Sequence, residues 1–140
     1  MTQPPAPSSG VVLVVDDEPG IRSLLTRLLQ AWDFKVIEAE GGPTALEAAR
    51  RLNGAISMVI TDVVMPGMDG YEFARAFRTI YPTVPILFIS GYPEATVGWR
   101  PDGIEHRIFK PFNPDEFLNA VARLLESRIK ERPSHTGDAS

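Results

Sequence analysis

Five strand-length runs, Val11–Val15, Phe34–Glu38, Ser57–Thr61, Val84–Ile89 and Glu105–Phe109, recur along the chain, and segments of helical spacing separate most of them. Most of the runs are β-branched or aliphatic without polar alternation, the pattern of strands covered on both faces of a parallel sheet. Between them, Ile21, Leu24, Leu25, Leu28, Leu29 and Trp32 repeat at three- and four-residue steps after Pro19, a residue suited to a first helical turn. Thr44–Leu52 has an apolar face made mostly of alanine, and Tyr71–Ile80 aligns Phe73, Ala74, Phe77 and Ile80 along one stripe. A last helix opens at Asn113-Pro114-Asp115-Glu116, with Asn as N-cap and Glu at the capping-box position. Strands alternating with helices imply right-handed crossovers and an α/β fold, a doubly wound five-stranded parallel sheet flanked by helices. Gly91–Gly103, with three glycines and two prolines, breaks the pattern, so a helix there is expected to be short or irregular.

The 140 residues suffice for one domain of this kind but not for two of ordinary size. Residues 1–9, rich in proline and serine, and residues 131–140 offer little to bury and are expected to be disordered tails around a domain at 10–130. After Arg132 only eight residues remain, so no attached output domain is expected. The absence of cysteine excludes a disulfide framework, a thiolate zinc site and a Cys nucleophile. A formal charge of −4 with no basic cluster argues against direct nucleic-acid binding. Neither a signal peptide nor an apolar run of membrane-spanning length is present, so membrane insertion is not expected and the expected location is the cytoplasm.

In a doubly wound sheet the ligand site lies at the carboxyl ends of the strands, near the switch in strand order. The polar residues that follow the apolar runs are therefore the ones to weigh: Asp16, Asp17 and Glu18 after the first, Asp62 at the third, Ser90 at the fourth and Lys110 at the fifth. Any one acid in such a place can simply cap a helix or stay solvated. Several carboxylates converging on one sheet edge repel each other unless a cation joins them, and an oxygen-only ligand set suits Mg²⁺. A divalent ion beside Asp62 would also orient a phosphoryl group for in-line attack by the carboxylate, with Lys110 and Ser90 holding its remaining oxygens.

At these residues the chain resembles the receiver domain of two-component response regulators, a flavodoxin-like fold. The resemblance rests on VVDDEPG (Asp16, Asp17), ITDVVMPGMDG (Asp62, Pro66, Gly67, Gly70), ISGY (Ser90) and FKPF (Lys110, Pro111). It implies that Asp62 accepts the phosphoryl group and that Asp17, Asp62 and the backbone carbonyl of Val64 bind Mg²⁺, with Asp16 acting mainly through a metal-bound water. Ser90 would be the switch hydroxyl, Lys110 would pair with the phosphoryl group, and the peptide before Pro111 would be cis. The implied donor is a sensor histidine kinase or a histidine phosphotransfer protein, and the implied output is contact with a downstream protein. A stand-alone receiver of this kind catalyses only its own phosphorylation and dephosphorylation, and the SGYPE segment is similar to receivers of hybrid sensor kinases.

Two positions depart from the family pattern. The aromatic switch residue that often stands three positions before the lysine is replaced by Arg107, and Gly91–Gly103 falls where the family places the helix between its last two strands. Activation would then order or shift a loop in residues 91–104. His106 should face away from Arg107 by strand alternation and is given no role. The helical arginines, including Arg22 and Arg78, read as solvated faces. Two alternatives remain: a haloacid-dehalogenase-like phosphatase, whose nucleophile would sit on the first strand, and a pseudo-receiver that docks without being phosphorylated.

Overall fold

The computed structural model describes residues 11–91 and 104–138, with side chains described as far as Glu126. The expected tail at 1–9, most of the segment from Gly91 to Gly103 and the proposed conformational change within it lie outside the described residues.

Strands β1 (Val11–Val15), β2 (Lys35–Ala39), β3 (Ile56–Asp62), β4 (Ile86–Ser90) and β5 (Glu105–Phe109) form one parallel sheet in the order β2-β1-β3-β4-β5. Every residue of β3 and β4 is buried, whereas β2 and β5 carry polar and half-exposed positions. Their places at the two edges account for this: Lys35, Glu38, Glu105 and Arg107 can reach solvent or partners there, and charge at an edge also discourages pairing with other chains.

Successive strand residues point to opposite faces, and two cores result. On one face Val12, Val14, Met58, Ile60, Leu87, Ile89 and Ile108 pack against Leu25 and Leu29 of α1 (Pro19–Gln30) and Phe117, Val121 and Leu124 of α4 (Pro114–Asp138). On the other face Leu13, Val15, Val59, Ile86 and Phe88 meet Ala45 and Ala49 of α2 (Gly42–Arg51) and Phe73, Ala74 and Phe77 of α3 (Gly70–Ile80). The alanine face of α2 thus packs as expected, although the helix begins two residues before Thr44 because Pro43 fits its first turn.

The starts of α3 and α4 are fixed by side chains. Asn113 Oδ1 accepts from the Glu116 N–H at 2.8 Å and Glu116 Oε1 from the Asn113 N–H at 3.3 Å, the reciprocal box anticipated for α4. The same box, between Asp69 and Glu72, opens α3. Helix α4 runs through Asp138, into residues 131–138 whose composition reads as a tail. Among the described residues no helix is long and apolar enough to cross a membrane.

Candidate functional site: an acidic pocket at the switch point

The chain runs from β1 outward to β2, then returns past β1 to β3, so strand order reverses between β1 and β3. Val15 pairs with Thr61 across that switch, which sets Asp16, just beyond β1, beside Asp62, the last residue of β3. One carboxylate oxygen from each of Asp16, Asp17 and Asp62 lies within 4.8 Å of the others. Asp16 is fully buried and Asp62 is 5% exposed, while Asp17 is more open to solvent.

Burial of this kind is unfavourable to carboxylates. Burial first, then repulsion from Asp62, pushes Asp16 from its ordinary 3.8 up to about 6, against a hydrogen bond from the Glu18 N–H to its Oδ1 at 2.9 Å. Asp62 is raised by burial as well, opposed by Lys110, whose Nζ lies 3.1 Å from Asp62 Oδ1. Burial alone would depress the lysine, but the hydrogen bond and charge of Asp62 outweigh it and raise the ammonium above its ordinary value. One lysine does not balance three acids. Asp16 Oδ2 is buried and receives no hydrogen bond, and its residue belongs to an all-oxygen cluster. That donor set fits a hard divalent cation.

Lys110 stands immediately beyond β5, where its N–H donates to the Ser90 carbonyl at 2.8 Å, and the following peptide to Pro111 is cis. Ser90 ends β4 and is fully buried. Asp16, Asp17, Asp62 and Lys110 therefore converge, and Ser90 shares their sheet edge. Val64, two residues past Asp62, has an exposed side chain and follows the strand into the adjoining loop.

Gly70 sets the depth of this loop. Its N–H donates to the Val63 carbonyl at 2.8 Å, and a Cβ there would press on the Asp62 carbonyl and come within 2.9 Å of Val63 Cα. Both neighbours are backbone and cannot rotate away. Gly70→Ala is expected to destabilise the fold by about 2 kcal/mol in urea unfolding, as overpacking does, with the strain falling on the Asp62 main chain.

Arg107 lies apart from the carboxylates, in the middle of β5. It pairs in register with Phe88, its Nη1 donates to the Tyr71 hydroxyl at 3.4 Å, and its guanidinium sits 5.2 Å from the centre of the Phe109 ring. Tyr71 in turn packs on Phe88 with ring centres 5.0 Å apart. His106 pairs with Leu87, the preceding pair in the same register, and burial together with the positive charges of Arg123 and Arg107 lowers its pKa.

The expectation of solvated arginine faces fails at two positions. Arg78 bonds Glu105 at 2.7 Å and the Pro82 and Val84 carbonyls, tying the end of α3 to β5 and to the turn before β4. Arg22 reaches the main chain of Asp16 and the side chain of Glu38. Glu18, whose carboxylate lies 4.0 Å from Lys110, also adjoins the pocket. The only sequence signal for Glu18 was its place after the acid pair, and none pointed to the Arg22 and Glu38 contact across 16 residues.

Comparison with known proteins agrees with this geometry. Residues 12–122 match the family described as the response regulator receiver domain. The chain is 35% identical over 130 residues to the sensor kinase CckA of Brucella abortus, covering 86% of this chain but only 13% of the kinase. It is 32% identical over 118 residues to the response regulator receiver protein CpdR of the same organism, covering 81% of this chain and 95% of CpdR. Among solved structures, the response regulator TrrA of Thermotoga maritima, in complex with Mg²⁺ and BeF, superposes with a TM-score of 0.71 at 34% identity, covering 82% of this chain and 98% of TrrA. By sequence over most of its length, by sheet order and by the acidic pocket at the switch point, the chain belongs to the response regulator receiver domain family.

Proposed function

We propose that this chain is a phosphoryl-accepting signalling switch of a two-component system in which Asp62 is the acceptor, and that it is a signalling protein rather than an enzyme acting on external substrates. The observation that carries the reading is the pairing of a buried strand-end carboxylate, Asp62, with Lys110 at 3.1 Å inside a cluster of three carboxylates. Asp17, Asp62 and the Val64 carbonyl would hold Mg²⁺, with Asp16 acting mainly through a water on the ion. When bound, the ion neutralises the carboxylates and draws charge from the phosphoryl oxygens.

The donor is a histidine kinase, directly or through a histidine phosphotransfer protein. The Asp62 carboxylate oxygen attacks phosphorus in line. The new O–P bond forms as the N–P bond of the phosphohistidine breaks, and its electron pair returns to the imidazole nitrogen, which takes up a proton. Lys110, already directed at Asp62, meets a phosphoryl oxygen as the carboxylate charge is spread over the acyl phosphate. Ser90 offers the second donor from the neighbouring strand end. Arg107 replaces the aromatic switch; burying a guanidinium costs far more than burying a ring, so it responds within its contacts to Tyr71 and Phe109 rather than by moving into the core. The output is contact with a downstream protein, without direct nucleic-acid binding or membrane insertion, in the cytoplasm.

Incubation with acetyl phosphate, followed by intact-mass analysis with Mg²⁺ and with EDTA, tests the reading. A gain of one phosphoryl group only with Mg²⁺ is expected. No adduct from either acetyl phosphate or a phosphorylated histidine protein would overturn it in favour of a docking module, and sustained hydrolysis of a phosphomonoester would overturn it in favour of a phosphatase.

A further inference from the structure

Outside the carboxylate cluster, one polar network touches its backbone. The Arg22 guanidinium, on the first turn of α1, donates from Nη1 to the Asp16 carbonyl at 2.7 Å and from Nε to Glu38 Oε1 at 3.1 Å. The second oxygen of Glu38, Oε2, accepts from the Thr26 hydroxyl at 2.8 Å. The Arg22 side chain is only 18% exposed, and Thr26 lies one helical turn further along α1. Both carboxylate oxygens of Glu38 are thus engaged, and the guanidinium is fixed in one plane.

The acidic turn is held from three directions. The Arg22 N–H donates to the Glu18 carbonyl at 3.0 Å, the Asp16 N–H donates to the Ala39 carbonyl at 3.1 Å, and the Glu18 N–H donates to Asp16 Oδ1 at 2.9 Å. The first and third are backbone donors that the local turn supplies, and the second follows from the β1–β2 pairing. The Asp16 carbonyl is different, because the group that satisfies it is a side chain held by an edge strand and a helix. Without Arg22 the peptide between Asp16 and Asp17 loses the contact that opposes its rotation, and that rotation would carry both carboxylates with it.

We propose that Arg22, held by Glu38 and Thr26, is a positioning residue that orients the Asp16–Asp17 peptide for cation binding. The inference rests on the reading of the acidic pocket as an Mg²⁺ site. Its sign is diagnostic. Arg22 is a cation near an anionic pocket, so if it acted through charge alone its removal would strengthen Mg²⁺ binding. A positioning role predicts weakening, because ligands whose orienting contacts are lost bind metal about tenfold less tightly or worse.

The test is calorimetric titration of the full chain with Mg²⁺ alone, with no phosphoryl donor present. Arg22→Gln is expected to raise the dissociation constant about tenfold, and Thr26→Val, which leaves every charge in place and only frees Glu38, to raise it by a smaller factor. Unchanged or tighter binding in Arg22→Gln would overturn the proposal. Should Arg22→Gln not fold, Thr26→Val decides alone: weaker binding with an unchanged melting temperature supports the positioning role, and unchanged binding overturns it. Absence of Mg²⁺ binding by the wild type would instead remove the reading of the pocket on which the inference rests. A phosphorylation assay at saturating Mg²⁺ then separates positioning from a direct catalytic part, since the rate should recover most of the way to the wild-type value only in the first case.

Discussion

Asp62→Asn is expected to take up no phosphoryl group under conditions that modify the wild type fully, read by intact mass after incubation with acetyl phosphate and Mg²⁺. The substitution is close to isosteric at a position only 5% exposed, so the fold should survive it. What it removes is chemical. An amide oxygen has too little negative charge to attack phosphorus, and its product would not be a stable acyl phosphate. It also removes the charge that draws Lys110 into the pocket at 3.1 Å, leaving the ammonium with Glu18 at 4.0 Å as its nearest carboxylate partner. If the variant still gained one phosphoryl group, the acceptor would be another side chain, a neighbouring carboxylate or hydroxyl, and fragmentation of the modified peptide would locate it. Asp16 is poorly suited to that role, since one of its oxygens already accepts the Glu18 N–H and it is fully buried.

Much of this site was legible in the sequence because strand ends in a doubly wound sheet converge by topology. Asp16, Asp62, Ser90 and Lys110 each follow or close an apolar run, and the register of β1, β3, β4 and β5 brings those ends to one edge. The two-core packing was legible for the same reason: a strand residue's face is set by its parity, as His106 and Arg107 show by pairing with Leu87 and Phe88, which lie in the cores on opposite faces of the sheet. Contacts that depend on which edge strand lies beside which helix were not legible. Arg22 looked like any solvated helical arginine, and Glu38 like a polar residue on an exposed strand. Only the placement of β2 against β1 brings the two within 3.1 Å. Arg78 was misread for the same reason, its partner Glu105 lying on the opposite edge strand.

Without metal at pH 7.5, Asp16→Asn is expected to be more stable than the wild type, by up to about 3 kcal/mol at about 1.4 kcal/mol for each unit by which the folded-state pKa is raised. The acid is raised from 3.8 to about 6 by burial and by neighbouring Asp62, so the folded protein binds a proton that the unfolded chain has released throughout that interval. Stability attributable to Asp16 is therefore greatest below pH 3.8 and is lost as pH rises to 6, the reverse of a salt-bridged carboxylate. Asparagine carries no such penalty, keeps an oxygen for the Glu18 N–H, and supplies amide hydrogens to carboxylates whose oxygens lie within 4.8 Å. The gain should consequently be largest in EDTA above pH 6 and vanish near pH 4, as measured by urea unfolding across that range. Mg²⁺ should erase it from the other side, since a cation that binds only the folded wild type stabilises it by mass action, while the variant has lost one negative charge from the cluster that attracts the ion. Equal stabilities of variant and wild type in EDTA at pH 7.5 would mean that the buried carboxylate is not under electrostatic strain. A gain that appears in EDTA and disappears with Mg²⁺ would tie that strain to function: the repulsion that weakens the empty fold is the same quantity that draws a divalent ion into it.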